Sequence, residues 1–251
     1  MRTLGVIPAR YGAQRFPGKP LALIAGKPLV QRVLEQARQA RLLDEVVVAT
    51  DDTRIFEAVE AFGGTAVMTP TDCPSGTDRV AHVARDRACE WVVNIQGDEP
   101  LLEPVMIDQL IAGMQAARDA VMGTLARPIV NLETWENPNV VKVVVGQNGN
   151  ALYFSRRPIP YAREAGGRFV TGIGYKHLGI YAYRREFLFE FVGWAPTPLE
   201  QIEKLEQLRV LEHGVPIRVW ITDHDSIGVD TPEDVKLVEE ILTARSVTTS
   251  A

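Results

Sequence analysis

Cysteine, basic charge and long apolar runs are all scarce in this sequence. Two cysteines, Cys73 and Cys89, are too few for a disulfide framework or a cysteine metal site, which suits a reducing cytoplasm. The net charge of −5 argues against nucleic acid as the main partner, because phosphate binding needs clustered lysine and arginine. No apolar run approaches the roughly 20 residues that a membrane span needs, and the first one ends at Pro8, too early for a signal peptide. We therefore expect a cytoplasmic protein with neither a membrane nor a nucleic-acid partner.

Short apolar runs alternate with helical patterns over the first half of the chain. Strand–helix units on both sides of Asp98, joined by short connections, predict an α/β fold with a three-layer, mostly parallel, doubly wound sheet. The pattern then changes, because segments 140–145 and 151–155 bracket a glycine-containing turn and are typical of a β-hairpin. We predict one domain over 1–245, with an inserted hairpin region at 129–183 that forms a homodimer, and a disordered tail at 246–251.

A candidate site follows the buried apolar run Trp91–Ile95, which Gly97 ends. Asp98 is expected one residue beyond this strand. Ligands bind outside the carboxyl ends of the strands in open α/β sheets, and a carboxylate there can hold a hard divalent cation. The alternative is that Asp98 only forms a turn before Pro100.

The loop after the first strand, Leu4–Ile7, contains two glycines and the cations Arg10, Arg15 and Lys19. Glycines let backbone N–H groups approach phosphate oxygens, and cations neutralise their charge, so the loop is a candidate polyphosphate cradle. It is not a P-loop, because five residues rather than four separate its glycines and proline replaces the serine or threonine that would meet the metal. The alternative is a solvated surface loop.

Two helix starts carry polar residues of interest. Ser75 begins a helix whose free N–H groups either contact a base or phosphate or are simply capped by its own side chain. Thr231 and Asp234 form a start like a capping box for the last helix, which is predicted to end near Leu242. Asp230 is not needed for that cap, and we predict that it points into the crevice at the end of the sheet.

A leucine stripe predicts one helix from about Leu199. Glu203 and Glu206 lie off this stripe, which is typical of a solvated charged face.

Nine short motifs follow one another along the chain, from the first strand to the last helix. They are Pro8–Tyr11, Arg15–Leu21, Ser75–Arg79, Asn94–Pro100, Asn137–Lys142, Tyr153–Arg156, His177–Tyr181, Leu205–Arg209 and Gly228–Asp234. Together they resemble the 3-deoxy-manno-octulosonate (KDO) cytidylyltransferase family, the CMP-KDO synthetases. The resemblance implies a Mg²⁺-dependent nucleotidyltransferase that converts CTP and KDO to CMP-KDO and pyrophosphate for lipopolysaccharide biosynthesis. One alternative is another sugar-acid cytidylyltransferase, of the sialic-acid or amino-KDO type. The alternative from another class is a non-catalytic nucleotide-binding module.

The resemblance also implies residue roles. Asp98 and Asp230 would coordinate the metal and, with Lys19 and Arg10, form the catalytic set. The residues implied for the nucleotide are Arg10, Arg15, Lys19, Ser75, Arg79 and Gln96, and those implied for the sugar acid are Gln96, Arg156, His177, Tyr181 and Glu206. In this assignment Glu206 becomes a sugar contact rather than a surface charge, and His177 a hydrogen-bonding residue rather than a metal ligand.

Overall fold

The computed structural model describes residues 2–12 and 16–249. Its strands are β1 (Thr3–Pro8), β2 (Leu23–Ile24), β3 (Lys27–Pro28), β4 (Glu45–Thr50), β5 (Ala66–Met68), β6 (Trp91–Asn94), β7 (Met122–Pro128), β8 (Lys142–Val145), β9 (Ala151–Ser155), β10 (Tyr175–Arg184) and β11 (Arg218–Ile221). Its α-helices are α1 (Leu29–Ala37), α2 (Thr53–Ala61), α3 (Gly76–Arg85), α4 (Pro104–Ala116), α5 (Leu132–Glu136), α6 (Arg185–Val192), α7 (Pro198–Glu203), α8 (Gln207–Glu212) and α9 (Pro232–Thr249). A short 3-10 helix covers Lys19–Leu21.

The chain divides into two compact units. Unit 1 lies within Met1–Asp108 and Ser226–Ala251, and unit 2 is Gln109–Asp225. The predicted insertion at 129–183 falls inside unit 2, which is wider than expected. Independent folding of the units is a separate property, so the single domain over 1–245 stays a prediction.

Unit 1 contains the predicted run of strand–helix units. Its parallel strands stand in the order β6-β1-β4-β5, and α1, α2 and α3 lie in the connections between successive strands of the chain. The interiors of β1, β4 and β6 are largely apolar and buried on both faces, as Val47, Val48 and segment 91–93 illustrate. Burial on both faces is what a parallel sheet covered by helices requires. The prediction of a buried parallel sheet before Asp98 is therefore confirmed.

Unit 2 is organised around β7, which pairs antiparallel with β10 and parallel with β11. The predicted hairpin is present as β8 and β9, and β8 also pairs with β10. Gly149 lies in its turn with φ 77°, a backbone conformation that glycine adopts without steric cost, and donates its N–H to the Gly146 carbonyl. The turn chemistry in the sequence therefore located the hairpin correctly.

Two predicted helix assignments were wrong. The stripe from Leu199 forms α7 and α8 rather than one helix, because Lys204 takes the left-handed conformation with φ 54° and ends α7. The last helix continues to Thr249 instead of ending near Leu242, so the predicted tail at 246–251 is helical as far as the structure describes it. No glycine or proline occurs between Leu242 and Thr249 to stop the helix.

Helices α5 and α6 were not anticipated. Both are short, with 5 and 8 residues, so little periodicity marks them in the sequence. Among the described residues, no helix is both long and apolar enough to cross a membrane.

Candidate active site

Three charged side chains of unit 1 meet in space. The ammonium group of Lys19 donates to Asp98 Oδ2 at 2.7 Å and to Asp230 Oδ1 at 3.3 Å. The Lys19 side chain is only 15% exposed, against 33% and 48% for the two aspartates. Asp98 and Asp230, which we call the aspartate pair, thus converge on one cation although they are far apart in the sequence. Carboxylates held this close repel each other unless a positive charge compensates them.

The backbone around the aspartate pair is tightly held. Strand β6 ends at Asn94, so Asp98 stands further beyond its strand than the single residue predicted. At Gly97 a Cβ would lie 2.6 Å from the Pro8 carbonyl oxygen, a distance that excludes any side chain there. The Val229 N–H donates to the Asp98 carbonyl at 2.8 Å, which joins the two aspartate segments directly.

A capping box fixes the approach to α9, as the sequence predicted. One carboxylate oxygen of Asp234 accepts from the N–H groups of Asp230 and Thr231, both at 2.8 Å, and the Asp234 N–H donates to the Thr231 hydroxyl at 3.4 Å. Burial acts to raise the pKa of Asp234, but these N–H donors and the charge of Lys19 outweigh it and lower the pKa overall. The Asp230 carboxylate is directed at Lys19.

The two ends of the first loop are joined by a backbone hydrogen bond, and a cation–π contact packs against one of them. The Gly18 N–H donates to the Tyr11 carbonyl at 2.9 Å, and the guanidinium carbon of Arg54 lies 3.3 Å from the centroid of the Tyr11 ring. Arg10 is exposed just before this contact. Arg15 lies outside the described residues. The loop thus presents Arg10 and Lys19 from a fixed base, which agrees with the predicted phosphate cradle without testing it.

The other residues implied for the nucleotide have protein partners. Ser75 is the N-cap of α3 and accepts from the N–H groups of Thr77 and Asp78, as the simple capping alternative predicted. Arg79 is buried, pairs with Asp51 at 2.7 Å and also bonds to Thr69. Gln96 is half-buried in the turn after β6, where its backbone carbonyl accepts a hydrogen bond from the Glu99 N–H. Their contacts with a nucleotide stay predictions.

Except for Gln96, which belongs to unit 1, the residues implied for the sugar acid lie in unit 2. His177 is buried, its ring packs edge-on against Phe154, and its Nε2 lies 3.0 Å from the Thr124 hydroxyl. The Thr124 hydroxyl is directed at the carbonyls of Leu178 and Ile180, so Nε2–H is the donor in the contact with His177. Desolvation lowers the pKa of His177 to about 3, and the ring is therefore neutral near pH 7.

Tyr181 and Glu206 complete this group. The Tyr181 ring lies 5.4 Å from the His177 ring, centroid to centroid. Glu206 precedes α8, its side chain is 30% exposed, and one carboxylate oxygen lies 3.7 Å from the Arg209 guanidinium. A half-exposed carboxylate with a long ion pair can accept hydrogen bonds from sugar hydroxyls.

Arg156 is held by backbone carbonyls. Its guanidinium donates to the carbonyls of Glu203 at 2.8 Å, Pro138 at 3.2 Å and Lys204 at 3.3 Å. The Glu203 carboxylate accepts from the Ser155 hydroxyl at 2.6 Å and from the Arg156 N–H at 3.0 Å. The prediction that Glu203 lies on a solvated face was therefore wrong. Its position off the leucine stripe does not reveal that it contacts the end of β9.

The donors of the aspartate pair suit a magnesium ion. Both are hard carboxylate oxygens next to a loop rich in cations, and Mg²⁺ commonly takes one or two protein carboxylates and completes its shell with water and substrate phosphate. Among residues 2–12 and 16–249, no three His, Cys, Asp or Glu side chains group into a closed metal cluster.

Comparison with known proteins gives one family. The model of a family described as cytidylyltransferase matches residues 4–219. A protein of Thermodesulfovibrio yellowstonii named 3-deoxy-manno-octulosonate cytidylyltransferase is 50% identical, with 98% of this chain and 100% of the relative covered. One of the same name from Geobacter metallireducens is 53% identical, with 96% and 98% covered.

Solved structures agree with these relatives. A CMP:2-keto-3-deoxy-manno-octonic acid synthetase complexed with CTP has a TM-score of 0.91 and 43% identity, covering 98% of this chain and all of that one. A 4-diphosphocytidyl-2C-methyl-D-erythritol synthase from Anaerococcus prevotii has a TM-score of 0.61 at 14% identity, with 96% of each chain covered, and so supports the fold alone. The predicted fold class, a mostly parallel central sheet with helices on both sides, is confirmed.

Proposed function

Because the chain belongs to the 3-deoxy-manno-octulosonate cytidylyltransferase family, we propose that it transfers CMP from CTP to KDO and releases pyrophosphate. In this reaction the anomeric hydroxyl of KDO attacks the α-phosphorus of CTP. A phosphorus–oxygen bond to the sugar forms, the bond to pyrophosphate breaks, and the hydroxyl proton is lost. Such a step depends mainly on alignment of the two substrates and on neutralising the charge that moves to pyrophosphate.

The observation that carries this proposal is the convergence of Asp98 and Asp230 on Lys19. We assign Mg²⁺ to the aspartate pair, where it would supply Lewis-acid stabilisation of phosphate oxygens and lower the cost of ionising the attacking hydroxyl. Lys19 is already directed at this point, and together with Arg10 it would bind triphosphate oxygens.

The remaining roles concern the nucleotide and the sugar acid. Ser75, Arg79, Gln96 and Arg15 would lie along the nucleotide. Arg156, His177, Tyr181 and Glu206, with Gln96, would bind the sugar acid, and Arg156 would pair with its carboxylate. The neutral His177 ring suits contact with a sugar hydroxyl, since it carries no charge for a carboxylate to pair with.

Pyrophosphate release measured over a grid of substrates tests the activity. The grid combines four nucleoside triphosphates with KDO, amino-substituted KDO and a sialic acid. We expect release with CTP and KDO that depends on Mg²⁺. Preference for another sugar acid would make the protein a cytidylyltransferase of a different sugar acid. Binding of CTP without turnover of any acid would make it a non-catalytic nucleotide-binding module.

We further propose a homodimer formed through the inserted region. Large apolar side chains exposed there are Val130, Leu132, Leu152, Tyr161 and Val170, with exposures of 47–73%. Exposed apolar groups of this size favour association. A monomeric sedimentation mass at micromolar concentration would contradict the dimer. A cytoplasmic location and a role in lipopolysaccharide biosynthesis belong to the same proposal, as the family resemblance implies.

A further inference from the structure

Lys142 is a fully buried lysine in unit 2, with 0% of its surface exposed. Its ammonium group donates to three backbone carbonyls, those of Val140 and Arg156 at 2.6 Å and that of Asn137 at 2.9 Å. Three donors with three acceptors satisfy the ammonium completely. Desolvation, and then the nearby charge of Arg156, lower the pKa of Lys142 to about 8. Lysine is rarely buried in this way, so a role beyond packing is worth seeking for it.

The three acceptors come from two segments. Two belong to residues 137–140, which we call the carbonyl loop, between α5 and β8, and the third belongs to Arg156 after β9. Pro138 of the carbonyl loop offers its own carbonyl to the Arg156 guanidinium at 3.2 Å. The loop therefore contacts both cations and links the buried ammonium to the Arg156 side chain.

Arg156 is fixed at both ends by this arrangement. Lys142 holds its carbonyl, the Glu203 carboxylate holds its N–H, and the carbonyls of Pro138, Glu203 and Lys204 hold its guanidinium. An arginine has five N–H donors; within the part of the chain that the structure describes, three bond to carbonyls, which leaves two for a ligand. The direction of those two is set by the carbonyls.

We propose that Lys142 is a positioning residue for sugar-acid binding: its ammonium holds the carbonyl loop and the Arg156 main chain, and thereby aims the Arg156 guanidinium at the substrate carboxylate. The inference rests on the proposed function, in which Arg156 pairs with that carboxylate. It goes further in assigning a role to a side chain that has no exposed surface and so does not touch the substrate itself.

The test is steady-state kinetics of Lys142→Met, which keeps the length of the side chain but removes its charge and its three donors. The carbonyl loop would lose its shared partner, and the KM for KDO is expected to rise about tenfold or more, the effect of weakening a charge-assisted hydrogen bond. The KM for CTP is expected to stay within about twofold, because Lys19 and the other residues assigned to the triphosphate belong to unit 1.

Lys176→Met is the matched control. Lys176 stands directly across from Lys142 on β10, but its ammonium pairs with Asp225 at 2.7 Å. It should leave the KM for KDO near the wild-type value. If Lys142→Met does not fold, Lys142→Arg replaces it, because a bulkier guanidinium must push the three carbonyls apart and should raise the same KM.

The outcomes separate the two proposals. A wild-type protein that does not release pyrophosphate from CTP and KDO would defeat the proposed function. An active wild type with an unchanged KM for KDO in the Lys142 variant, or with equal rises for both substrates, would overturn the role of Lys142. A rise for KDO alone, absent in Lys176→Met, supports it.

Discussion

Lys19 occupies the position between two carboxylates that we assign to a metal ion. Without it, the aspartate pair would lose its compensating charge, and Lys19→Met should therefore unfold at a lower temperature than wild type in metal-free buffer. Added Mg²⁺ should recover more of the melting temperature in the variant than in wild type, because the ion no longer competes with an ammonium group. Differential scanning fluorimetry with and without Mg²⁺ measures both effects.

Lys27→Met is the control for this comparison. Lys27 pairs with Glu35 at 2.8 Å on an exposed surface, where an ion pair contributes little. Equal Mg²⁺-induced shifts in Lys19→Met and wild type would show that lysine and metal do not share the aspartate pair.

The aspartates themselves are tested by Asp98→Asn and Asp230→Asn, which keep shape and remove charge. Each should lower kcat by about a hundredfold to a thousandfold, the usual effect of losing one group that stabilises transition-state charge. The reduction should shrink with Mn²⁺ if a metal ligand has been lost. Asp86→Asn, at the exposed end of α3, should keep full activity. Near-normal turnover and an ordinary Mg²⁺ dependence in either site variant would refute the metal assignment.

His177 predicts a dependence of stability on pH. Its pKa falls from 6.5 to about 3 on burial, so the unfolded chain binds a proton between these values that the folded chain does not. The free energy of unfolding is therefore unaffected by this group above pH 6.5. As the pH falls from 6.5 toward 3, the free energy of unfolding decreases by up to about 1.4 kcal/mol per pH unit. Urea unfolding from pH 7 to pH 4 should show a shallower loss for His177→Gln than for wild type. Parallel pH profiles would contradict the neutral, desolvated ring.

Single residues also mark where sequence reasoning stopped. Local patterns drew attention to both aspartates. Asp98 follows a glycine that ends a buried run, and Asp230 is an acid just before a capping box that does not need it. Lys142 and Glu203 were not, since their hydrogen bonds reach segments that local patterns do not bring together. Arg79 likewise gave no sign of its partner Asp51.

At the scale of elements, the break between α7 and α8 is the clearest departure from the sequence pattern. Lys204 adopts φ 54° there, which costs a residue with a Cβ roughly 1 kcal/mol or more. Lys204→Gly should remove this strain and raise the free energy of unfolding by about 0.5–1 kcal/mol, after the larger chain entropy of glycine is offset. Urea denaturation measures the change.

A second glycine substitution serves as the control. Lys236→Gly, in the interior of α9, should lower the free energy of unfolding by about 1 kcal/mol. If Lys204→Gly is destabilising to the same degree, the left-handed conformation at this position carries no strain.

Strands were easier to predict than helices for a physical reason. The buried runs of β1, β4 and β6 are continuous, and the hairpin has a glycine turn, so each is specified locally. Helix ends depend on caps and on tertiary contacts. The leucine stripe from Leu199 illustrates this, because Leu205 and Leu208 are buried whereas Ile202 is 77% exposed.

At the scale of the whole molecule, the order of elements gave the fold class, but the sequence did not reveal the division into units. Unit 1 is built from segments at both ends of the chain. The boundaries between the units, at 108/109 and 225/226, are not marked by any change in amino-acid composition. The contact that closes unit 1 near the site, Val229 N–H to the Asp98 carbonyl, joins backbones and leaves no mark on residue identity.

The discontinuity of unit 1 has a consequence for synthesis on the ribosome. Every residue of unit 2 is translated before Asp230, so the second half of the aspartate pair arrives after that unit is complete in sequence. A nascent chain stalled before residue 226 would carry Lys19 beside Asp98 alone. Under the proposed metal assignment, the site is therefore completed only with the last stretch of translation, and a chain stalled before that point would not turn over CTP.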